Sequence, residues 1–468
     1  MNRRPASRFR RRQVLTRLFG TDGIRGVANA DLTPELAFSV GRAGAAVIAH
    51  AAAPEKPIVI GRDTRLSGTM LEAAMIAGIT STGRNVVVLG VVPTPCVATV
   101  TVSIGAAAGV MISASHNPIE DNGIKFFGAD GFKLSDAVED EIGEQLNHPD
   151  LPRPTHVGVG IASLQHGLAE RYTQMVVAAG VPLTGWTVVV DAAFGAAYEI
   201  GPVIFERLGA RVIAINAADD GGRINVGCGA TDLAMLAAAV RAEIARGNGR
   251  CVGVAFDGDA DRAKFVDETG ALLDGDHALL ILARDRRERG TLPGNAVVAT
   301  VMSNVGLERA LEIAQIAMLR APVGDRYVLE AMRAGGYRLG GEQSGHVIDL
   351  DRNTTGDGPM TAVTLFAVAA RAGVRLHDLA SSLTVFPQIL INVRVEDRGI
   401  AEAPAVLAAV AAAEARLGAA GRILVRPSGT EPLVRVMVEA ADLRTTEEVA
   451  EAVASVIRDA AASSRAET

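Results

Sequence analysis

Short runs of β-branched residues recur along this chain, each closed by glycine or a polar cluster and followed by an alanine-rich, helix-favouring stretch. Pro57-Ile58-Val59-Ile60 runs into Gly61-Arg62-Asp63, a helix is expected near 70–83, and an apolar run follows at 86–92. Val110-Met111-Ile112 leads to Ser113-Ala114-Ser115-His116-Asn117-Pro118. Val188-Val189-Val190 ends at Asp191, and Val252-Gly253-Val254-Ala255-Phe256 ends at Asp257-Gly258-Asp259. Strand–helix alternation on this scale predicts doubly wound α/β domains with parallel sheets. In such sheets ligands bind outside the carboxyl ends of the strands, which is where these polar clusters fall.

The pattern changes after residues 384–388. Residues 389–395 and 433–439 alternate apolar with polar, as half-exposed strands do. With a second boundary expected near 148–156, the chain reads as three doubly wound α/β domains plus a smaller C-terminal α+β domain around a central cleft. The expected divisions are a basic disordered tail (1–17), then 18–155, 156–265, 266–384 and 385–468. At 468 residues the chain is too long for one core, which agrees with such a division.

Composition refines this picture. Hydrophobic residues make up 49% and charged ones 21%, the balance of a soluble globular protein. Residues 86–114 carry no charge, but their prolines and glycines predict two buried strands and a helix start instead of a membrane span. Three widely spaced cysteines, Cys96, Cys228 and Cys251, imply neither a disulfide framework nor a thiolate zinc site, and point to a reducing cytoplasm. Net charge is −7, and the seven arginines of residues 1–17 leave −14 for the rest. A net-acidic body argues against nucleic-acid binding. Arg11-Arg12 faintly suggests twin-arginine export, but no apolar stretch follows, so that reading fails.

Four stretches carry candidate chemistry. Pro118 and Asn117 should force a loop that displays Ser115 at a strand end; the serine lies in no Gly-x-Ser-x-Gly elbow, so an acyl-transfer triad is unsupported. Asp257, Asp259 and Asp261 alternate after a strand and converge only around a cation. An EF-hand is excluded, because its sixth position is Arg262 and a strand precedes it. All-oxygen ligation with an open position suits Mg²⁺ bridging to a phosphoryl oxygen. Arg426-Pro427-Ser428-Gly429-Thr430-Glu431-Pro432, with Arg435 nearby, has the composition of a phosphate nest. Gly340-Gly341-Glu342-Gln343-Ser344-Gly345-His346 suits reading sugar hydroxyls. The chain has only four lysines, at 56, 125, 133 and 264, and Lys125 follows the serine loop; a proton-transfer role requires lysine over arginine. Taken singly, the serine loop, the arginine loop and the glycine loop also read as polar turns, and Lys125 as a surface lysine.

Taken together and in this order, the four stretches resemble the α-D-phosphohexomutase superfamily over residues 18 to about 460. Phe19-Gly20-Thr21-Asp22-Gly23-Ile24-Arg25-Gly26, Cys228-Gly229-Ala230-Thr231-Asp232, Gln343 and Thr354-Thr355-Gly356-Asp357-Gly358 are similar to the phosphoglucosamine mutases within it. Phe194, in Asp191-Ala192-Ala193-Phe194-Gly195, stands where that pattern has Asn. The resemblance implies interconversion of glucosamine 6-phosphate and glucosamine 1-phosphate through phospho-Ser115, supplying UDP-N-acetylglucosamine synthesis. It implies one Mg²⁺ on Ser115, Asp257, Asp259 and Asp261, with Lys125, His116 and Arg25 as catalytic groups. Arg426, Ser428, Gly429, Thr430 and Arg435 would hold the distal phosphate, and Glu342 and Ser344 the sugar. Glucose or glucosamine 1,6-bisphosphate is the expected primer. The expected partner is a small-molecule sugar phosphate, with a homodimer and an activating kinase as further candidates and neither nucleic acid nor a membrane. A phosphomannomutase/phosphoglucomutase and a Mg²⁺-dependent sugar phosphatase are the competing readings.

Overall fold

The structure, a computed structural model, describes residues 17–20, 22–49, 52–146, 148, 150–428 and 432–466. It divides into two compact units: one holds the chain up to residue 239 with 253–262 and 352–360, the other holds 240–252, 263–351 and 361 onward.

The first unit begins with a six-stranded sheet. Its strands are β1 (Ile24–Val27), β2 (Ile58–Arg62), β3 (Val86–Val91), β4 (Ala108–Ile112), β5 (Asp121–Gly128) and β6 (Ala162–Leu164), in the order β1-β5-β4-β2-β3-β6. β2, β3, β4 and β6 run parallel, β5 is antiparallel to β4, and β1 pairs antiparallel with β5 and so runs in the direction of the core strands. The sheet is therefore mixed, with the expected parallel core and antiparallel pairing at one edge. β2 and β4 are buried almost throughout, as strands covered by helices on both faces must be. Each buried Ile or Val there contributes about 1.5–3 kcal/mol. The helices Pro34–Ala49 and Gly68–Thr80 pack closely because Gly78 has no side chain; a Cβ there would lie 2.2 Å from the Phe38 carbonyl oxygen. The uncharged run 86–114 forms β3, the helix Thr94–Ser103 and β4, as its punctuation predicts. Among the described residues no helix is long and apolar enough to cross a membrane. The basic tail lies outside the described residues except for Arg17, whose guanidinium sits 2.6 Å from Asp140 and 2.8 Å from Asp136.

In the same unit β7 (Thr187–Asp191) pairs in parallel with β8 (Arg211–Ile215) and lies beside β9 (Cys251–Phe256), of which residues 253–256 belong to this unit. The turn after β7 puts Ala193 and Phe194 at φ +54° and +52°. Asn tolerates that left-handed region and Phe does not, so the Asn-to-Phe departure carries backbone strain. The Phe194 ring is covered by the Arg223 guanidinium, 4.0 Å from its centroid.

In the second unit β10 (Ala263–Val266) and β11 (Leu272–Leu273) form a hairpin. A four-stranded sheet follows, with β12 (Ala296–Thr300), β13 (Ala317–Ala321), β14 (Leu339–Gly341) and β15 (Val347–Asp349) in the order β13-β12-β14-β15. Last comes an antiparallel sheet, β16 (Gln388–Arg394), β17 (Gly421–Pro427) and β18 (Leu433–Ala440), with β18 central. The helices Pro404–Leu417 and Leu443–Ala466 pack on this last sheet, giving the expected α+β end. All three cysteines are buried.

Candidate active site

The polar ends of β2, β4, β7 and β9 meet within the first unit. β4 ends at Ile112, and the chain turns through Ser115, which takes φ +53°. The sequence led us to expect a displayed serine. Ser115 is instead only 1% exposed, with its loop packed against the segment 257–261. Gly258 permits that approach: a Cβ on it would sit 2.5 Å from the Ser115 carbonyl oxygen.

Ser115 Oγ donates to Asp257 Oδ2 at 2.6 Å and lies 3.4 Å from His116 Nδ1. Asp257, Asp259 and Asp261 are all buried, with one carboxylate oxygen of each inside a 4.8 Å group. Burial, and then Asp261 and Asp259, push the Asp257 carboxyl up to about 7. Asp259 Oδ1 is buried and accepts no hydrogen bond. Hard oxygen donors, crowded negative charge and an unsatisfied buried lone pair fit a divalent cation.

Lys125 is 1% exposed and lies 3.0 Å from Asp259, 3.2 Å from Asp22 and 3.6 Å from Asp261. Burial alone would lower its pKa; Asp22, Asp259 and Asp261 outweigh that and raise it above the ordinary lysine range. Burial, then Arg262 and Arg25, push His116 down to about 3, so its ring is neutral. Arg25 pairs with Asp22 and donates to Asn117 Oδ1 at 3.1 Å. Four of the expected groups, Ser115, His116, Lys125 and Arg25, thus surround the acidic trio.

The remaining expected residues lie in the second unit. The Gly-rich loop joins β14 to β15. Glu342 Oε1 accepts from the Gly324 N–H at 3.1 Å, and Ser344 Oγ is 3.5 Å from Glu342 Oε2. Gly345 takes φ +100°, and a Cβ there would lie 2.4 Å from the Ala263 carbonyl oxygen, so glycine is required. Arg426 on β17 stands directly opposite Arg435 on β18. Burial, and then Arg435, lower the Arg426 pKa. Two like charges placed directly opposite across a strand pair repel, which favours an anion between them. Ser428 is buried, its N–H bonded to Leu433 O at 2.8 Å and its carbonyl accepting from Arg398 at 2.7 Å. Gly429 and Thr430 lie outside the described residues.

Sequence reasoning missed several partners. Asp22 takes Lys125, Lys133 and Arg25 together. Thr94 Oγ1 donates to Asp259 Oδ2 at 2.6 Å, and Thr94 N to Asp259 O at 2.9 Å. Arg398 holds the Ser428 carbonyl. Lys133 was visible as one of four lysines, and Asp22 lay inside a recognised stretch; Thr94 and Arg398 gave no signal.

Four domain models of one family cover the chain in order. They are the phosphoglucomutase/phosphomannomutase α/β/α domains I (residues 16–153), II (170–270) and III (274–386), and the C-terminal domain (390–456). The chain belongs to the phosphoglucomutase/phosphomannomutase family, within the phosphohexomutase superfamily. Inside it, the chain is 53% identical over 437 residues to the phosphoglucosamine mutase of Moorella thermoacetica, covering 92% of this chain and 97% of that one. The phosphoglucosamine mutase of Rhodococcus jostii is 50% identical over 446 residues, covering 94% and 99%. A solved family protein from Burkholderia thailandensis shares the fold at TM-score 0.79 and 23% identity, covering 95% and 97%. So does a putative phosphomannomutase from Thermus thermophilus, at 0.73 and 22%, covering 94% and 98%.

Proposed function

We propose that the chain is an isomerase that interconverts glucosamine 6-phosphate and glucosamine 1-phosphate from a phosphorylated Ser115. One observation carries this reading: Ser115 Oγ lies 2.6 Å from Asp257 inside a buried trio of carboxylates, with Lys125 beside them. Relatives about half identical bear the name of this activity.

A sugar hydroxyl oxygen attacks the phosphorus of phospho-Ser115; its O–P bond forms as the Ser115 Oγ–P bond breaks. The hydroxyl proton passes to the neutral His116 ring, with the Lys125 ammonium beside the acidic trio. The resulting 1,6-bisphosphate turns over and presents its other phosphate. That ester O–P bond breaks as Ser115 Oγ is rephosphorylated, and the freed sugar oxygen regains a proton. Asp257, Asp259 and Asp261, with a phosphoserine oxygen, would hold one Mg²⁺, which when bound offsets charge on the transferring group. The Lys125 ammonium and Arg25 steady the equatorial oxygens. Arg426, Ser428, Gly429, Thr430 and Arg435 grip the phosphate that does not react, and Glu342 and Ser344 read sugar hydroxyls. Holding the distal phosphate spends remote binding energy on orientation at the reacting end.

Glucose or glucosamine 1,6-bisphosphate primes the enzyme. The same reading keeps the four-domain division and places the protein in the cytoplasm, upstream of UDP-N-acetylglucosamine. A homodimer and an activating kinase remain proposals for native-mass and phosphosite measurements.

Ser115→Ala should lose turnover of glucosamine 6-phosphate, assayed with trace glucose 1,6-bisphosphate, by about four orders of magnitude or more. Near-normal turnover would end the proposal. Comparing glucosamine, glucose and mannose phosphates separates this activity from phosphomannomutase/phosphoglucomutase, and phosphate release to water without sugar transfer would mark a phosphatase.

A further inference from the structure

The loop carrying Ser115 is shaped by a guanidinium to which the mechanism above gives no part. Arg65 follows β2 and is fully buried. Its five N–H bonds all find acceptors. Nε donates to Asp63 Oδ2 at 3.1 Å. One terminal nitrogen donates to Asp121 O at 2.9 Å and to Pro118 O, and the other to Ser115 O at 3.0 Å and Asn117 O at 2.8 Å. One planar cation thus gathers four carbonyls from a seven-residue stretch, 115–121.

Asp63, also fully buried, fixes the cation and the loop's start together. It accepts from the Arg65 N–H at 2.9 Å and from Ser113 Oγ at 2.6 Å, and Ser113 Oγ in turn accepts the Ser115 N–H at 2.9 Å. Asn225 Nδ2 adds a further donor to Ser115 O at 2.9 Å. Both the N–H and the carbonyl of Ser115 are therefore held by hydrogen bonds. The residue stays at φ +53°, a conformation a serine does not keep without such restraint. Asp63 and Arg65 pair with each other, and the remaining donors of Arg65 run to backbone carbonyls of the loop, which is a geometric restraint.

We propose that Arg65, clamped by Asp63, is a positioning residue for phosphoryl transfer: it sets the direction in which Ser115 Oγ leaves the backbone. It governs transfer at Ser115 and leaves sugar-phosphate affinity alone. The inference rests on the mutase reading above. Lysine cannot substitute, because three donors on a point charge do not span four carbonyls in one plane.

The test uses the full chain with Arg65→Lys, Arg65→Ala and Ser113→Ala, each checked for folding by thermal melting. The readouts are the rate of Ser115 phosphorylation by glucose 1,6-bisphosphate, followed by intact mass, and kcat and KM for glucosamine 6-phosphate. In folded Arg65→Lys the phosphorylation rate and kcat should fall about 100-fold, the effect of misplacing a reacting atom by roughly 1 Å. KM should stay within about threefold, since uniform binding is untouched. Methylguanidinium should restore Arg65→Ala by about tenfold or more where methylammonium does not, a response that requires the fork of donors and not the charge alone. A folded Arg65→Lys enzyme phosphorylated at the wild-type rate would overturn the proposal, and so would raised KM with unchanged kcat. If both Arg65 variants fail to fold, Ser113→Ala decides: about a tenfold kcat loss is expected, and wild-type kcat overturns the idea. Wild-type protein that is phosphorylated at Ser115 yet inert toward glucosamine 6-phosphate would sink the mutase reading instead.

Discussion

The surroundings of Ser115 and of Arg426 are built on opposite principles. Around Ser115 the polar atoms are largely committed before a ligand arrives: Thr94 and Lys125 hold Asp259, Asp22 gathers Lys125, Lys133 and Arg25, and Arg65 holds the loop. Around Arg426 two guanidiniums face each other across β17 and β18, half-buried and mutually repelling. The first arrangement fixes geometry where an atom must be transferred. The second gathers positive charge on one face of the sheet, which suits the anion-binding part that the proposed function gives it.

Variants should separate these roles. The largest effect belongs to Asp259→Asn, which should lower kcat about 1,000-fold, since a catalytic cation contributes several kcal/mol to the transition state. Chelator treatment should bring wild-type protein down similarly, and added Mg²⁺ should restore wild type but not the variant. A kcat that survives both would mean that the acidic trio is merely structural. Next comes Arg426→Ala, for which KM should rise about 10- to 100-fold, the loss of one charge-assisted hydrogen-bonded contact. Its melting temperature without ligand should hold steady or rise, because removing one guanidinium relieves the repulsion. A marked fall would show that the pair stabilises the sheet.

Gly345→Ala should destabilise the second unit by about 1–3 kcal/mol, read from denaturant midpoints, because it forces a Cβ into the left-handed region and against Ala263. The smallest effect concerns Asp276, in the first turn of the helix Gly275–Glu288. Burial, then Asp274 and, more weakly, Glu439 push its carboxyl up from an ordinary 3.8 to about 7, although the Asn304 N–H donates to it. The folded chain therefore holds this proton more tightly than the unfolded chain. Its contribution to stability is full below about pH 4 and is lost as pH rises toward 7. Asp276→Asn should flatten the decline of melting temperature across that window. An unchanged slope would place the pH dependence elsewhere.

How much of this was legible beforehand differs between individual residues. Ser115 and the Asp257–Asp259–Asp261 trio stood out because chemistry concentrated at a strand end is a local pattern. The alternation of 389–395 against the continuous apolar runs of β2 and β4 likewise separated the last sheet from the first. The antiparallel pairing of β5 with β4 and β1 was not legible, since strand direction depends on which neighbour the chain meets.

The sequence by itself determined the kinds of element, their order and the loops that carry reactive side chains, because periodicity and turn chemistry act over a few residues. Only the tertiary structure decided that Ser115 is buried, that Lys125 answers to three carboxylates, and that Arg65 gathers carbonyls about 50 residues away in sequence. Those contacts join segments far apart along the chain. Their geometry follows from how helices and sheets pack, which no short window of sequence encodes.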